Sequence, residues 1–342
     1  MIFYILTFLD KFLNSLKILK FFRVGIISLE IIFNFYTVCL MPKISIVIPS
    51  LNEEEYLPKL LKSIQAQTFT DYEVIVADAG SKDKTVEIAK NHGVRVVPGG
   101  MPGPGRNRGA EVATGEFLFF FDSDVVLEPK FLEKALQEME DRFLELATCE
   151  FLPESDLRLD RVLFKLANLS VKINQFFTPR AAGFCIFISR RLFKRVGGFD
   201  ETVKLAEDHD LVTRASQYRP LRMLNSVTLT VSIRRLRKEG RFSLIGKYIQ
   251  VETHLLLKGK VTDDIVEYEF GNFEKQESES VKKTLDELEA KILQMEEQYN
   301  QISNKYTEIQ SVIKDSDVAE KVKSTVDSVV SLVKTIFEPG KK

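Results

Sequence analysis

Three groups of residues in this 342-residue chain have the types and spacing to do chemistry. Asp122 and Asp124 flank Ser123 where the apolar run EFLFFF ends. Carboxylates this close repel, and burying either as an ion without a partner is costly. A divalent cation answers that cost, because magnesium and manganese take oxygen ligands and bridge protein carboxylates to phosphates. A turn with two solvated acids, or a helix N-cap ahead of PKFLEKAL, answers it without a ligand. Upstream, Arg106 and Arg108 stand in GPGRNRGAEVATGE, just before a predicted helix. An arginine beside a helix start suits a diphosphate; a basic, glycine-rich surface loop is the plainer alternative. Downstream, Glu207, Asp208 and Asp210 cluster at the start of another helical stretch. The helix dipole stabilises acids there, and one positioned carboxylate can also act as a general base.

The elements that must position these groups read as alternating strands and helices. ISIVIPS (44–50) is a buried strand, and EEEYLPKLLKSIQAQ carries Leu57, Leu60, Leu61 and Ile64 at helical spacing. EVIVADAGS is a second strand running into a loop, KTVEIAKNHG a helix, VRVV a strand, and EFLFFF a fourth. This order predicts an α/β sandwich with a mainly parallel sheet, whose ligands sit beyond the carboxyl ends of the strands. The polar loops SLNE, ADAGSKD and DSD all fall on that edge.

Composition narrows the chemistry. Charged residues make up 28% and the net charge is −1, so no nucleic-acid partner is expected. Three scattered cysteines (Cys39, Cys149, Cys185) and three histidines argue against a disulfide framework or a His/Cys metal site, and fit a reducing compartment. The chemistry falls to carboxylates and arginines.

Three regions differ in character: 1–40, 41–270 and 271–342. The first is apolar with Lys11, Lys17, Lys20 and Arg23 ahead of its most hydrophobic stretch. Glu30 and Asn34 interrupt that stretch, which favours a membrane-surface helix or anchor, or a leader ahead of a start at Met41, over a true span. The last region is charged and helical. Residues from Val281 to Ile313 recur in steps of four and three, a heptad seam that supports either self-association or a hairpin folded back on the rest of the chain. The stretch 159–177 is apolar around much of its circumference, read as core packing or as a membrane-facing helix.

The middle region resembles the family 2 glycosyltransferases, from about Lys43 to Arg241. The matching pieces are ISIVIPSLNEEEYLPKLLKSIQAQTF, VIVADAGSKDKTVEIA, GRNRGAEVATGEFLFFFDSD, GGFDE and AEDHDL, in the family's order. The resemblance implies a GT-A fold (a Rossmann-like sheet flanked by helices), here with a helical, coiled-coil-like C-terminal extension. It implies a nucleotide-sugar donor, UDP- or GDP-linked, and a divalent metal, Mg or Mn. Pro49, Ser50, Asn52 and Glu53 would hold base and ribose, and Asp78 would contact the base. Ala79 departs from the family's usual acid pair there. Arg106 would face the diphosphate. Asp122, Ser123 and Asp124 would bind the donor, with Asp124 the more direct metal ligand and Asp122 its partner. Asp208 would be the base for an inverting transfer, with Glu207 and Asp210 as supports. No Q-x-x-R-W segment and no tryptophan occur, which implies single transfer. Arg234 and Arg235 would cover the diphosphate or form a basic surface. The expected acceptor is a glycan or a lipid-linked molecule, and the expected location is cytoplasmic, peripheral on the membrane's inner face. A polyprenyl-phosphate sugar synthase and a non-catalytic nucleotide-sugar-binding scaffold are the alternatives.

Overall fold

The structure is a computed structural model that describes residues 41–239, 286, 289–301 and 304–305. The expectations for 1–40 and for most of 271–342 lie outside the described residues.

Strand β1 (Ile44–Ser50) opens the fold. Helix α1 (Leu57–Gln65) follows, with Pro58 tolerated in its first turn and Leu57, Leu60, Leu61 and Ile64 buried as their spacing requires. Then come β2 (Tyr72–Asp78), α2 (Thr85–Asn91), β3 (Arg95–Pro98), α3 (Pro102–Val112), β4 (Phe117–Phe120) and β5 (Val125–Leu127). The order continues with α4 (Phe131–Asp141), β6 (Leu146–Pro153), α5 (Arg158–Asn174), β7 (Ile186–Ser189) and α6 (Arg190–Arg195). It closes with α7 (Glu207–Ser216), β8 (Arg222–Val231) and α8 (Arg234–Glu239).

The strands form one sheet in the order β3-β2-β1-β4-β7-β6-β8-β5. The β3-β2-β1-β4 half is parallel, as expected. The other half is mixed, and its reversals matter for the site. Antiparallel pairing sets Phe120, the end of β4, opposite Ile186, the start of β7. The loop before β7 therefore arrives beside the acids that follow β4. Antiparallel pairing also sets Val231, the end of β8, opposite Val125, the start of β5. The start of α8 therefore arrives beside Asp124. Two chain segments remote in sequence reach the carboxyl edge only because these strands run backwards.

β4 is buried on both faces. Phe119 and Phe121 pack with Phe131 and Phe187 on one side, and Leu118 and Phe120 with Phe193 and Phe199 on the other. A strand clamped on both faces fixes whatever follows it, here Asp122-Ser123-Asp124.

Arg106 and Arg108 lie inside α3 rather than ahead of a helix. Pro102 and Pro104 sit in its first turn, where no backbone N–H is missed. The glycines that made the segment read as a loop are needed for contact. A Cβ on Gly109 would come within 2.3 Å of Val47 Cγ1, and one on Gly105 within 3.3 Å of Pro49 Cβ. Only a glycine face lets α3 lie this close to β1.

The described part of the C-terminal helix, α9 (289–301), lies on α5. Ile292 is buried with Val162 and Leu169, and Met295 packs against them. Arg158 bonds Asp286 and Glu289 (2.6 Å each), and Gln175 Nε2 donates to Tyr299 Oη (2.8 Å). Three seam residues, Ile292, Met295 and Tyr299, are thus used within the same chain, the folded-back arrangement. Among the described residues, no helix is long and apolar enough to cross a membrane.

Candidate functional site

The sheet's carboxyl edge gathers the predicted site residues from β1, β2, β4, α3 and α7. At the end of β1, Ser50 Oγ lies 2.8 Å from Ser123 Oγ, which also bonds the Pro49 carbonyl (3.3 Å). Both serines are buried, so this bond ties the acidic loop to the first strand. Asn52 adopts a left-handed φ of 55°, which asparagine tolerates. Its side-chain oxygen accepts from Lys82 N and its backbone N–H donates to Ser81 Oγ (2.9 Å each). Glu53 N donates to Thr85 Oγ1 (2.7 Å). The loops after β1 and β2 are therefore locked into one floor.

Asp78 ends β2. Its Oδ2 accepts from the N–H groups of Gly80 and Ser81 (3.0 Å each), while its buried Oδ1 has no partner. Buried polar atoms are normally hydrogen-bonded, so this open acceptor stands apart from the rest of the loop.

The charge of the acidic loop is cancelled by two arginines. Arg106 is buried and donates through Nη2 to Asp122 Oδ1 (2.7 Å) and through Nη1 to Glu207 Oε1 (2.8 Å). Arg234 donates through Nε to Asp124 Oδ2 and, in bidentate fashion, to both oxygens of Glu53, each at 2.7 Å. Its guanidinium lies over the Tyr56 ring, 4.6 Å from the centroid. Arg106 thereby links the acids after β4 to the acids that open α7.

At the head of α7, Ala206 sits at φ 61°, a left-handed conformation costly for a residue with a Cβ. That turn presents Glu207 and Asp208 side by side. Asp208 Oδ2 accepts from Gly183 N (2.7 Å) and Oδ1 from His209 N (2.8 Å). Asp210 is engaged elsewhere: it bonds Arg214, which holds the carbonyls of Val196 and Gly198.

The sequence model described as "Glycosyl transferase family 2" matches residues 45–196, which span β1 to α6 and the whole acidic edge up to α7. Over residues 45–196 the chain matches the family 2 glycosyltransferases. Similar relatives include the uncharacterized glycosyltransferase EpsJ of Bacillus subtilis, 27% identical over 189 residues, 49% of this chain and 54% of that one. The chondroitin synthase of Escherichia coli is 27% identical over 227 residues, 60% of this chain and 32% of that one. The chain spans about half the length of the first of these relatives and a third of the second. Among solved structures, the mannosyltransferase PcManGT of Pyrobaculum calidifontis, in complex with GDP-Man and Mn2+, matches with a TM-score of 0.50. It is 17% identical and covers 87% of this chain and 82% of that one, a likeness of fold.

The sheet edge carries an acid-rich site, and burial shapes its titration. Burial raises the pKa of Asp124, with Arg234 opposing and Asp122 adding to the rise. Burial also raises Glu207, reinforced by the neighbouring charge of Asp208 and opposed by Arg106. Glu53 is raised by burial against the pull of Arg234. His209 is held below its usual range by burial, against the opposing pull of Asp208.

A divalent ion fits this donor set. Asp122 and Asp124 offer carboxylate oxygens, the donor type magnesium and manganese prefer. Among the described residues no group of three or more His, Cys, Asp or Glu side chains is arranged to hold a metal alone. Two carboxylates suit an ion that completes its shell with water and substrate phosphates.

The sequence pointed to the acids and to Arg106 but not to two partners in the domain. Gly183 supplies the N–H for Asp208, and a Cβ there would come within 2.5 Å of Arg106 Nη2. Tyr56 backs the Arg234 guanidinium. Glu53, expected at the nucleotide, is bonded to Arg234. A glycine ahead of a strand and a tyrosine ahead of a helix carry no local signal of such roles.

Proposed function

We propose that the chain transfers a sugar from a nucleoside diphosphate to a hydroxyl of a glycan acceptor, with inversion and with a divalent metal, Mg2+ or Mn2+, held by Asp122 and Asp124. The observation that carries this reading is the pair of ion-paired hydrogen bonds from Arg106 to Asp122 and Glu207. It makes the donor acids and the acids of α7 one connected cluster at the strand ends. The relatives named above include a glycan-building synthase, and the fold neighbour holds a nucleotide sugar with Mn2+.

Asp78 Oδ1 selects a base that presents a ring N–H, as uracil and guanine do. The 50–53 and 80–85 loops would frame the base and ribose. The metal, when bound, offsets the charge that develops on the leaving diphosphate. Asp208 takes the acceptor's proton as its oxygen attacks the anomeric carbon from the face opposite the leaving group. Its two backbone hydrogen bonds fix the carboxylate, and each oxygen keeps a second lone pair for that proton. Glu207, tied to Arg106, and Asp210, tied to Arg214, hold the helix start in place.

Inversion is testable without knowing the acceptor. With an α-linked UDP- or GDP-sugar, Mn2+ and water as acceptor, early NMR spectra are expected to show the β-anomer of the freed sugar. An α-anomer at early times would contradict an inverting base.

A further inference from the structure

The two arginines of the site stand differently. Arg106 has a side chain only 3% exposed, both terminal nitrogens are taken by carboxylates, and Gly183 is packed against it. Arg234 is 35% exposed and sits at the first position of α8, at the rim of the site. Its backbone is anchored independently of its side chain. Ser232 N donates to the Asp124 carbonyl (2.9 Å), and Ser232 Oγ accepts from Arg234 N (3.2 Å). A guanidinium has five N–H donors, and Arg234 spends three of them on Glu53 and Asp124. Released from Asp124, it could stay on Glu53 and Tyr56 with Nε–H and the outer N–H on the same edge turned to a ligand.

Charge shows why release would occur. Five carboxylates, Glu53, Asp122, Asp124, Glu207 and Asp208, are bonded or directly coupled to these two guanidinium groups. A site this acidic repels a diphosphate until a cation is added. Yet Asp124, one of the acids offered to that cation, already faces Arg234 at 2.7 Å. A metal ion and a guanidinium cannot share that oxygen without strong repulsion.

We propose that Arg234 is an exchangeable counter-ion: it neutralises Asp124 in the donor-free site, releases it when a divalent ion binds there, and turns its freed N–H groups to the donor diphosphate. The inference rests on the donor-site reading above. Arg234 is then a positioning and binding residue for the reaction, and Glu53 is its pivot.

The test uses the full chain and Mn2+ alone as probe, with bound metal counted by electron paramagnetic resonance. Arg234→Ala is expected to bind Mn2+ about ten-fold more tightly than the parent when no nucleotide is present, because the competing cation is gone. The same variant, loaded with Mn2+, is expected to bind whichever of UDP and GDP the parent binds about ten-fold more weakly, because a charge-assisted bond to phosphate is lost. Arg234→Lys, which keeps a cation, is expected to fall between the two in Mn2+ affinity. It serves as the folded comparison if the alanine variant melts early. Mn2+ binding that is lost in Asp124→Ala but no tighter in Arg234→Ala and Arg234→Lys would overturn the exchange and leave the donor site standing. Mn2+ binding indifferent to Asp124 would overturn both.

Discussion

Asp208→Asn is expected to lower the transfer rate by about 10²–10⁴-fold, the usual worth of a general base, while donor affinity changes less than about two-fold. The substitution keeps size and shape but removes the proton acceptor. Asp208 now takes two backbone N–H bonds, from Gly183 and His209. An asparagine keeps one of them and turns its amide NH2 toward the other, a local cost that does not reach the donor acids. Those are held by Arg106 and Arg234, whose hydrogen bonds go to Asp122, Glu207, Asp124 and Glu53. The split between kcat and donor Kd separates the base from a structural role. Asp210→Asn is the control: its carboxylate supports Arg214, so it should lower stability more than rate. Transfer retained within ten-fold in Asp208→Asn would remove Asp208 from the mechanism.

Arg106→Met is expected to cost about 3–5 kcal/mol of folding stability, because it leaves two part-buried carboxylates without their shared cation. Methionine fills most of the volume, so the loss reports charge rather than a cavity. Two further measurements identify the cause. Adding Asp122→Asn and Glu207→Gln to Arg106→Met should recover part of the stability, since coupled neighbours are not additive. The loss should also shrink in acid. Without Arg106, Glu207 binds its proton more tightly folded than unfolded. Its penalty is then full at neutral pH and fades as pH falls through its folded-state pKa. Glu207 already lies above its ordinary value through burial. Urea denaturation at several pH values reads both effects; a pH-independent loss would assign it to packing instead.

How much of this was legible in the sequence follows from what is local and what is not. The strand ends Ser50 and Asp78 and the Asp122-Ser123-Asp124 loop could be placed on one edge, because short β-branched or aromatic runs stop at polar loops. The acids heading α7 were legible because they cluster at the start of a helical stretch. The glycine-rich α3 was not, since its glycines serve contact with Val47 and Pro49, which only the folded sheet brings near. Nor was the answer to the charge on Asp122 and Asp124. The sequence offered a metal; the structure adds Arg106 for one acid and Arg234 for the other. Arg234 is 110 residues from Asp124 and reaches it because β8 pairs antiparallel with β5. The heptad seam illustrates the converse: helical spacing was plain, but spacing alone does not say whether Ile292 meets a second chain or α5.

The central claim is that the edge built by Asp78, Asp122 and Asp124 is a metal-dependent nucleotide site. Calorimetric titration of the full chain with UDP and with GDP, with and without Mn2+, tests it most directly. One nucleotide is expected to bind in the presence of Mn2+ and to bind far more weakly without it, and Asp124→Ala should abolish the Mn2+ dependence. Binding of neither nucleotide, or binding indifferent to both Mn2+ and Asp124, would contradict the account.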